Sequence, residues 1–330
     1  MTPIVTVIGS LNYDLVTFTT RVPRAGETYQ ASSFETHIGG KGLNEALAVA
    51  RLSPKNKVIT RMVGKIGTDD FGRNLKQCLL EAKVDVEFLE TIEGPSGVAV
   101  IMVEEDSGEN RILITAGANG HLTMSDEEYE KIFDKSVDGK GGFVVLQNEY
   151  PDTCKSISWL KENRPQINIA YNPSPFKPEL VTRKLWRMID FLIVNEGEAQ
   201  DVAKLLLPDV IFEASIEGFK KMAIEIQKLL NQENIQTVVI TMGSKGCIYY
   251  TGKEEKPSFV KAQKVDKVVD TTGAGDTFFG GVVSNLALGY DISKAISFAT
   301  IASSLAIQKK GAAEGIPIYS EVIEKLHGVK

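Results

Sequence analysis

Cysteine and histidine are scarce in this chain, and their spacing excludes several kinds of site. The three cysteines, Cys78, Cys154 and Cys247, are far apart and odd in number, so they indicate neither a disulfide framework nor a CxxC metal pair. The three histidines stand apart with no HExxH spacing, so we expect no zinc enzyme. The cysteine pattern fits a reducing compartment. We therefore expect a cytoplasmic location, with the nucleus left open.

Long apolar runs and excess positive charge are also missing. No run of about 18 apolar residues occurs, so no membrane span is expected, and residues 1–9 lack the basic start of a signal peptide and indicate a first strand. The formal net charge of −6 argues against nucleic acid as the main partner. It leaves room for a small anionic ligand, because backbone N–H groups alone can bind an anion.

Two nucleotide-binding fingerprints are absent as well. No GxGxxG motif follows the first strand, which disfavours a nicotinamide-dependent oxidoreductase. Lys41 is followed by glycine, and no GxxxxGKS or GxxxxGKT run occurs, so the chain has no Walker A loop. Any phosphate site must therefore be built in another way.

What the chain does have is a regular alternation of short apolar runs and helical patterns. The candidate strands are Val5–Ile8, Ile59–Val63, Phe143–Gln147, Ile167–Tyr171, Phe191–Val194 and Val238–Thr241. The candidate helices are Leu43–Leu52, Phe71–Ala82, Thr153–Glu162, Glu196–Leu206, Phe219–Asn231, Ala274–Leu288 and Ile292–Gln308. Nearly continuous apolar strands separated by helices predict an α/β fold with an open, mostly parallel sheet and helices on both faces.

Two segments break this alternation. Tyr13–Ile38 mixes alternating and turn residues, and Gly97–Thr115 indicates a β-hairpin around the turn-like run Glu105–Asn110. We expect both to form a small β-sheet at the ligand edge of the core, which is typical of a lid. The predicted division is an α/β core for nucleotide and sugar, residues 1–11, 41–90 and 121–330, and a β lid, residues 12–40 and 91–120.

The most informative run is Asp270–Asp276, which reads DTTGAGD and opens the candidate helix Ala274–Leu288. Gly273 and Gly275 let the backbone come close to a ligand. The free N–H groups at a helix start, with the positive end of its dipole, form an anion site. Asp276 could take a proton from a hydroxyl while those N–H groups hold a transferring phosphoryl group. A tight turn with a capping aspartate would explain the same residues.

A second motif, Gly39–Asn44, reads GGKGLN and opens the candidate helix Leu43–Leu52. Its glycines allow close approach, and Asn44 in the first turn can present an amide to a polyol. A flexible turn before a helix is the alternative.

Polar residues also follow several candidate strands. In an open parallel sheet the ligand crevice lies beyond the carboxyl ends of the strands. Asn12 and Asp14 follow the first strand, and Glu149 follows Phe143–Gln147, so all three are placed to bind hydroxyl groups. Each of them could also belong to an ordinary polar turn.

Two further strand ends suggest a nucleotide side. Asn195 and Glu198 follow Phe191–Val194, where Glu198 could orient Mg²⁺ through water or could simply help to cap the next helix. The run Thr241–Gly246 offers hydroxyl and N–H donors to a phosphate, with a plain hairpin turn as the alternative. Turns alone do not explain why ligand-type loops follow so many strands.

With these motifs in this order, the chain resembles the ribokinase branch of the PfkB carbohydrate kinases, from Val5 to about Pro317. Gly39–Asn44 is similar to the N-terminal signature of that family. Asp270–Thr277 is similar to its C-terminal signature at every position. The resemblance implies the ribokinase-like fold, an ATP-dependent sugar kinase and the use of Mg²⁺ and K⁺.

The resemblance also implies a role for each motif. The residues expected to bind ribose hydroxyls are Asn12, Asp14, Gly40, Lys41, Asn44, Glu149 and Asp276. The expected catalytic set is Asp276, as base on the primary hydroxyl, with an anion hole of Gly273, Ala274 and Gly275. The ATP site would be lined by Asn195, Thr241, Gly243, Gly246 and Gly275, with Glu198 acting on Mg²⁺ through water. The K⁺ loop would comprise Asp270, the Thr272 carbonyl, Ala306, Lys309, Gly311 and Gly315.

Two positions depart from the family pattern. Gly315 stands where serine is common, so one hydroxyl ligand of K⁺ would be lost, although K⁺ activation is still expected. Glu45 replaces the frequent glutamine after Asn44, and we expect this replacement to have little effect.

The leading hypothesis is therefore phosphorylation of D-ribose at O5 by ATP, giving ribose 5-phosphate. A kinase for another sugar or a nucleoside, such as fructose or adenosine, and a non-catalytic nucleotide or sugar sensor of the same fold remain as alternatives. The expected partners are small molecules, with no nucleic acid and no membrane. The resemblance also implies a homodimer formed through the lid.

Overall fold

A computed structural model describes residues 2–107, 109–134 and 142–328. Gly108, in the turn of the predicted hairpin, lies outside the described residues. The strands are β1 (Ile4–Ile8), β2 (Asn12–Thr19), β3 (Ser33–Gly39), β4 (Ile59–Gly67), β5 (Leu89–Ile92), β6 (Gly97–Glu104), β7 (Asn110–Thr115), β8 (Phe143–Leu146), β9 (Asn168–Tyr171), β10 (Phe191–Asn195), β11 (Thr237–Thr241), β12 (Gly246–Tyr250) and β13 (Ser258–Lys261). The α-helices are α1 (Lys41–Arg51), α2 (Asp70–Glu81), α3 (Asp126–Ile132), α4 (Thr153–Asn163), α5 (Arg183–Trp186), α6 (Glu196–Leu206), α7 (Ile216–Gln227), α8 (Ala274–Ala287), α9 (Ile292–Ala306), α10 (Ala312–Gly315) and α11 (Tyr319–Leu326).

A nine-stranded sheet forms the centre of the molecule, in the order β13-β12-β11-β10-β9-β8-β1-β4-β5. Its neighbouring strands are parallel, except that β12 is antiparallel to both β11 and β13. Short connections without an α-helix join these last three strands, and antiparallel pairing needs no crossover. The predicted open, mostly parallel sheet is confirmed.

Helices cover both faces of this sheet, and each face has its own apolar core. Val7 of β1 belongs to the core formed with α1, α8 and α9, whereas the next residue, Ile8, belongs to the core formed with α4 and α6. Successive side chains of a strand point to opposite faces, so a strand covered on both faces is apolar along most of its length. This explains the continuous apolar runs of the sequence. Within the described residues, every helix is too short or too polar to span a bilayer.

Four strands form a second, smaller sheet in the order β3-β2-β6-β7. β2 pairs with β6 in parallel and with β3 in antiparallel orientation, and β6 and β7 form the predicted hairpin. Asn12 lies opposite both Gly39 and Gly97, so three chain segments enter the small sheet at one row of residues. The small sheet is confirmed, whereas the boundaries between core and lid stay a prediction.

Helices α1 and α8 pack closely because small residues face each other. A Cβ at Gly280 of α8 would overlap the Ala48 side chain and lie 3.0 Å from the Val49 backbone nitrogen. A Cβ at Gly281 would lie 3.2 Å from the Ala299 Cβ of α9. The glycines therefore set how closely α8 approaches its neighbours.

Some elements differ from the sequence prediction. The pattern does not indicate β5 and β13, which lie at the two edges of the sheet and expose more of their side chains. It also misses β12, which lies between β11 and β13 and has a buried centre. α7 begins at Ile216 instead of Phe219, because the Ser215 hydroxyl oxygen accepts a hydrogen bond from the Gly218 N–H at 3.1 Å and caps the helix.

The apolar tract before the glycine-rich turn, Val265–Val269, forms no strand. Its end is tied to the loop after α9, because the N–H groups of Val269 and Asp270 both donate to the Ile307 carbonyl. The segment Thr28–Ala31 likewise lies outside the strands of the small sheet.

Candidate active site

The two glycine-rich motifs open α1 and α8, as predicted. Gly40 precedes α1 with φ of 90°, and Gly273 precedes α8 with φ of 73°, values that favour glycine. A Cβ at Gly40 would lie 2.7 Å from the Asn12 backbone nitrogen, and one at Gly273 would lie 2.8 Å from the Ala312 Cα. Both positions therefore require glycine for conformation and for space.

The starts of the two helices meet through their polar side chains. The Asn44 amide donates to Asp276 Oδ2 at 2.8 Å, and Lys41 Nζ lies 3.5 Å from Asp276 Oδ1. Both carboxylate oxygens of Asp276 are thus oriented by α1. Asn44 Oδ1 is buried and has no partner among the described residues, which leaves one acceptor for a ligand.

Lys41 is the cation among several carboxylates. Burial by itself would lower its pKa, but nearby negative charge, that of Asp276 first and also that of Glu149 and Glu198, outweighs burial and raises the pKa of Lys41 above its ordinary value. The side chain therefore stays protonated at neutral pH and contributes a fixed positive charge to the site.

Glu149 lies beside the same loop. Its Oε2 accepts hydrogen bonds from the Ser10 hydroxyl and, at 3.0 Å, from the Lys41 backbone N–H. These bonds connect the ends of β1 and β8 to the start of α1. The other carboxylate oxygen has no protein partner in the described part of the chain, so it is available to a hydroxyl-bearing ligand.

Asn12 is held by Asn119, a residue that the sequence reasoning missed. Asn119 Nδ2 donates to Asn12 Oδ1 at 2.8 Å and to the Leu11 carbonyl at 3.0 Å, and its Oδ1 accepts from the Leu11 N–H at 2.9 Å. Asn119 lies in a polar turn far from Asn12 in sequence, so only the tertiary fold brings them together. Ser10 follows β1 directly, but nothing in the sequence indicates that its hydroxyl donates to Glu149.

Asp14 lies two residues after Asn12, and its carboxyl group is close enough to Glu149 to feel its charge. Burial, followed by the negative charge of Glu149, raises the pKa of Asp14 to about 7, although His37 acts in the opposite direction. A carboxyl group with this pKa changes its charge within the physiological range. A Cβ at Gly39, on the neighbouring strand, would overlap the Asp14 carboxyl group.

The start of α8 leaves backbone N–H groups open. Among the described residues, the N–H groups of Gly275 and Asp276 have no acceptor, and no atom lies within 4 Å of an ideal Cβ at Gly275. The Ala274 N–H, in contrast, donates to the Thr271 carbonyl at 3.3 Å, a long bond that a ligand would have to replace. An anion can therefore approach Gly275 and Asp276 directly.

The predicted nucleotide-side residues lie at the carboxyl ends of β10 and β11. Asn195 is paired with Thr241 in the register of these strands, and the Thr241 hydroxyl donates to the Val194 carbonyl at 3.4 Å. Gly243 lies in the following connection, which joins two antiparallel strands, and Gly246 is the first residue of the second of them, β12. The hairpin turn anticipated as an alternative is thus present. Within the described residues, no hydrogen bond joins this group to the start of α8.

Asn195 and Glu198 form a capping box at the start of α6. Asn195 Oδ1 accepts from the Glu198 N–H, and Glu198 Oε2 accepts from the Asn195 N–H, both at 2.9 Å. Helix capping therefore accounts for one oxygen of Glu198. Its charge still contributes to the raised pKa of Lys41, which brings Glu198 into the electrostatic environment of the site.

Asp270 organises the segment predicted to be the cation loop. Its Oδ1 accepts from the Thr272 N–H at 2.9 Å and from the Thr272 hydroxyl at 2.6 Å, and its Oδ2 accepts from the Gly311 N–H at 2.9 Å. Burial would raise the pKa of Asp270, but these hydrogen bonds outweigh it and hold the pKa below its ordinary value.

The other residues of this loop lie along the same turn. The Gly315 N–H donates to the Gly311 carbonyl at 3.0 Å, and a Cβ at Gly315 would lie 3.1 Å from the Ala306 carbonyl oxygen. The Lys309 N–H donates to that same Ala306 oxygen at 3.0 Å. Hydrogen bonds thus connect Asp270, Thr272, Gly311 and Gly315 with one another, and separately Ala306 with Lys309. His, Cys, Asp and Glu side chains do not gather in threes around a metal position anywhere in the described residues.

Comparison with known proteins agrees with this arrangement. The model of the pfkB family carbohydrate kinases matches residues 3–318. This chain belongs to the pfkB family. It is 38% identical to the ribokinase of Lactococcus lactis subsp. lactis over 327 residues, which cover 98% of this chain and 96% of the relative. It is 36% identical to the ribokinase of Schizosaccharomyces pombe over 321 residues, with 96% of both chains covered.

A solved structure of Arabidopsis thaliana ribokinase, complexed with ribose and ATP, superposes with a TM-score of 0.84 at 28% identity and covers 99% of both chains. The ribokinase-like α/β fold with a small second sheet is therefore confirmed. This pfkB member is an enzyme, a carbohydrate kinase of the ribokinase type.

Proposed function

We propose that this enzyme transfers the γ-phosphoryl group of ATP to O5 of D-ribose, giving ADP and ribose 5-phosphate. The observation that carries the proposal is the hydrogen bond between Asn44 and Asp276, which joins the sugar-side motif to the phosphate-side motif. Ribose and ATP are the ligands named for the similar Arabidopsis structure, and ribokinases are among the most similar relatives.

In this proposal, hydroxyl groups of the sugar are bound by Asn12, Asp14, Lys41 and Glu149 together with the free Asn44 oxygen. The bound sugar would then present its primary hydroxyl to Asp276. Asp276 takes the proton of O5 while the bond from O5 to the γ-phosphorus forms and the bond from that phosphorus to the leaving oxygen of ADP breaks. Holding the reacting groups together supplies much of the rate acceleration.

We assign the negative charge that develops on the phosphoryl group to the start of α8. The open N–H groups of Gly275 and Asp276 and the positive end of the helix dipole favour an anion there. Gly273 and Ala274 complete this predicted anion hole once the Ala274 N–H turns from Thr271 to the ligand.

Mg²⁺ and K⁺ are the cations we propose for this site. Glu198 retains one oxygen outside the capping box and could hold a water of Mg²⁺, which neutralises phosphate charge when it is bound. The carbonyl groups of Ala306 and Thr272 and the segment Gly311–Gly315 fit a monovalent cation, since such ions favour oxygen ligands. Asp270 would keep this loop in shape.

The nucleotide would lie along Asn195, Thr241, Gly243 and Gly246, at the ends of β10 and β11. The ligand crevice of an open parallel sheet lies at this edge, which supports the assignment.

We also propose the core and lid division given by residues 1–11, 41–90 and 121–330 and residues 12–40 and 91–120. A cytoplasmic location is our proposal from the free cysteines.

The test is ADP production in the presence of Mg²⁺, with ribose, fructose, adenosine or no acceptor, in KCl and in choline chloride. Turnover that depends on ribose and rises with K⁺ is the expected result. Turnover with fructose or adenosine instead would replace the acceptor and retain the chemistry. Sugar binding without turnover would favour the sensor alternative.

A further inference from the structure

Beneath the proposed sugar site lies a buried pair of side chains with no assigned role. Glu45 follows Asn44 in α1, and Gln147 follows the end of β8 two residues before Glu149; both side chains are fully buried. Gln147 Nε2 donates a hydrogen bond to Glu45 Oε2. The pair therefore connects the two segments that carry the sugar-side residues.

The second oxygen of each side chain has no partner. Glu45 Oε1 and Gln147 Oε1 are both buried and unpaired within the described structure. If Glu45 is ionised, both atoms are acceptors and neither can donate, so two buried polar groups stay unsatisfied, which destabilises the folded state. Gln147 Oε1 lies against Gly9, at the place where a Cβ on that residue would be.

A single proton on Glu45 would give both unpaired oxygens a hydrogen bond. A protonated Glu45 has a hydroxyl donor at Oε1, and the amide oxygen of Gln147 is the matching acceptor. Acid and amide would then form a ring of two hydrogen bonds, Nε2–H to Oε2 and Oε1–H to Oε1.

On balance, the surroundings of Glu45 also favour its protonated form. Burial, followed by the negative charge of Asp276 and that of Glu149, raises the pKa of Glu45 well above its ordinary value, although Lys41 and the Gln147 hydrogen bond oppose this shift. Lys41 lies one helical turn before Glu45, so an ionised Glu45 would also compete with Asp276 for the Lys41 ammonium group.

We propose that Glu45 is a neutral carboxylic acid in the working enzyme and closes a two-bond ring with Gln147. Glu45 is a positioning residue in this inference: through the ring it fixes Asn44 and Lys41 on one side and Glu149 on the other. Its effect on catalysis rests on the proposed function, whereas its protonation state does not. The replacement of glutamine at this position is then tolerated because the protonated acid offers the same donor and acceptor as an amide.

The first test is infrared difference spectroscopy of wild type against Glu45→Gln at pH 7.5. The carbonyl band of a protonated carboxyl group is expected in the wild type and not in the variant. Glu127→Gln, the same change at an exposed position of α3, is the control and should show loss of an ionised carboxylate band. If Glu45→Gln instead lacks an ionised carboxylate band that the wild type shows, the proposal is wrong.

The second test is the pH dependence of unfolding. A group whose pKa is raised on folding binds more protons in the folded state, so the contribution of Glu45 to the free energy of unfolding falls as pH rises above about 4.5, the ordinary value for its carboxyl group. Glu45→Gln lacks this dependence, so its stability relative to wild type should increase with pH from that point. A difference that is flat with pH would contradict the inference.

The third test separates positioning from mere folding. Glu45→Gln keeps the ring, and we expect its kcat for the preferred acceptor to stay within about twofold of wild type at neutral pH. Glu45→Leu removes the ring at similar volume, and kcat should fall by as much as 10²-fold from small displacements of Asn44 and Lys41. Equal kcat in both variants would exclude a positioning role. If no acceptor is turned over, the infrared and unfolding results still decide the protonation state.

Discussion

At the residue scale, Asp276 combines a half-buried carboxylate with two oriented oxygens and a helix start. The Asp276→Asn variant keeps the shape of the side chain and part of its contact with Asn44, but the new amide cannot accept a proton. We expect kcat to fall by roughly 10²–10⁴-fold with sugar affinity changed little, as measured by steady-state kinetics and by calorimetric titration of the sugar. Asp266→Asn, at an exposed position nearby, is the control. An Asp276→Asn enzyme with near wild-type turnover would remove Asp276 from the role of base.

Asp14 makes a prediction about pH. Its pKa is raised to about 7, so protonation below that pH removes the carboxylate that would accept sugar hydroxyls. We expect kcat/KM for the sugar to fall as pH decreases through about 7, since kcat/KM reports the ionisation of the free enzyme. Asp14→Asn should have a lower kcat/KM without this inflection, and the exposed Asp106→Asn should match wild type. The same inflection in Asp14→Asn would assign it to another group.

Much of the site was predictable at this scale because its residues occupy positions with simple rules. Asn12, Glu149 and Asn44 follow strands or open a helix, and strand ends of a parallel sheet converge on one edge. Asn119 and Gln147 could not be predicted in the same way. Their partners are distant in sequence, and only packing determines which polar groups a buried amide reaches.

At the element scale, the distance between the two site loops is set by the packing of α1 against α8. Gly280→Ala would place a methyl group against Ala48 and force the helices apart. We expect a loss of roughly 1–3 kcal/mol in the free energy of unfolding and a fall in kcat of about tenfold, because Asn44 moves away from Asp276. Denaturant unfolding and kinetics measure these effects.

The control for that change is Gly120→Ala, where the added Cβ would have only an ordinary contact at 3.4 Å with Ala116. Unchanged kcat in Gly280→Ala would show that the site tolerates a shift of these helices.

The loop between α9 and α11 makes a prediction about ligand removal. If this loop binds K⁺, the ion stabilises the folded state by mass action. We expect the Tm to be roughly 2 °C or more higher in KCl than in choline chloride at equal ionic strength, and Asp270→Ala to abolish the difference. The same Tm in both salts for wild type would argue against a K⁺ site, whatever the kinetics show.

The sequence pattern identified the inner strands β1 and β10 and did not identify the edge strands β5 and β13. β1 and β10 lie inside the sheet with helices on both sides, so nearly every residue is apolar and the run is recognisable. β5 and β13 lie at the two edges, are four residues long and have mixed exposure, so their sequence does not differ clearly from a loop. Where a capping residue such as Ser215 was not considered, the predicted start of the helix differs from the observed one by a few residues.

At the scale of the whole molecule, the edge of the small sheet carries exposed apolar side chains on both of its faces. Ile112, Leu113 and Ile114 of the edge strand β7 are exposed, Leu113 to 74%, and Val100 of β6 is exposed as well. A second copy is the occupant we propose, because an unpaired edge strand and an apolar patch can each meet their own counterpart about a two-fold axis.

We therefore expect the protein to sediment as a dimer and Leu113→Asp to shift it to the monomer. Leu205→Asp, at an exposed leucine of α6, should leave the dimer intact. A wild type that stays monomeric at micromolar concentration would exclude the lid-paired dimer.

The row formed by Gly39, Asn12 and Gly97 has a mechanical consequence. β2 and β3 leave the core at this row and meet it again further along: Lys310 Nζ lies 2.7 Å from a Glu35 carboxylate oxygen of β3 and 5.7 Å from the ring centre of Phe18, near the far end of β2. Lys310 stands between Lys309 and Gly311 of the segment predicted to bind a cation. A rotation of the small sheet about the row would therefore have to break both contacts of Lys310. The far end of the small sheet and the predicted cation loop are thus mechanically linked, although they lie apart from the row that carries Asn12.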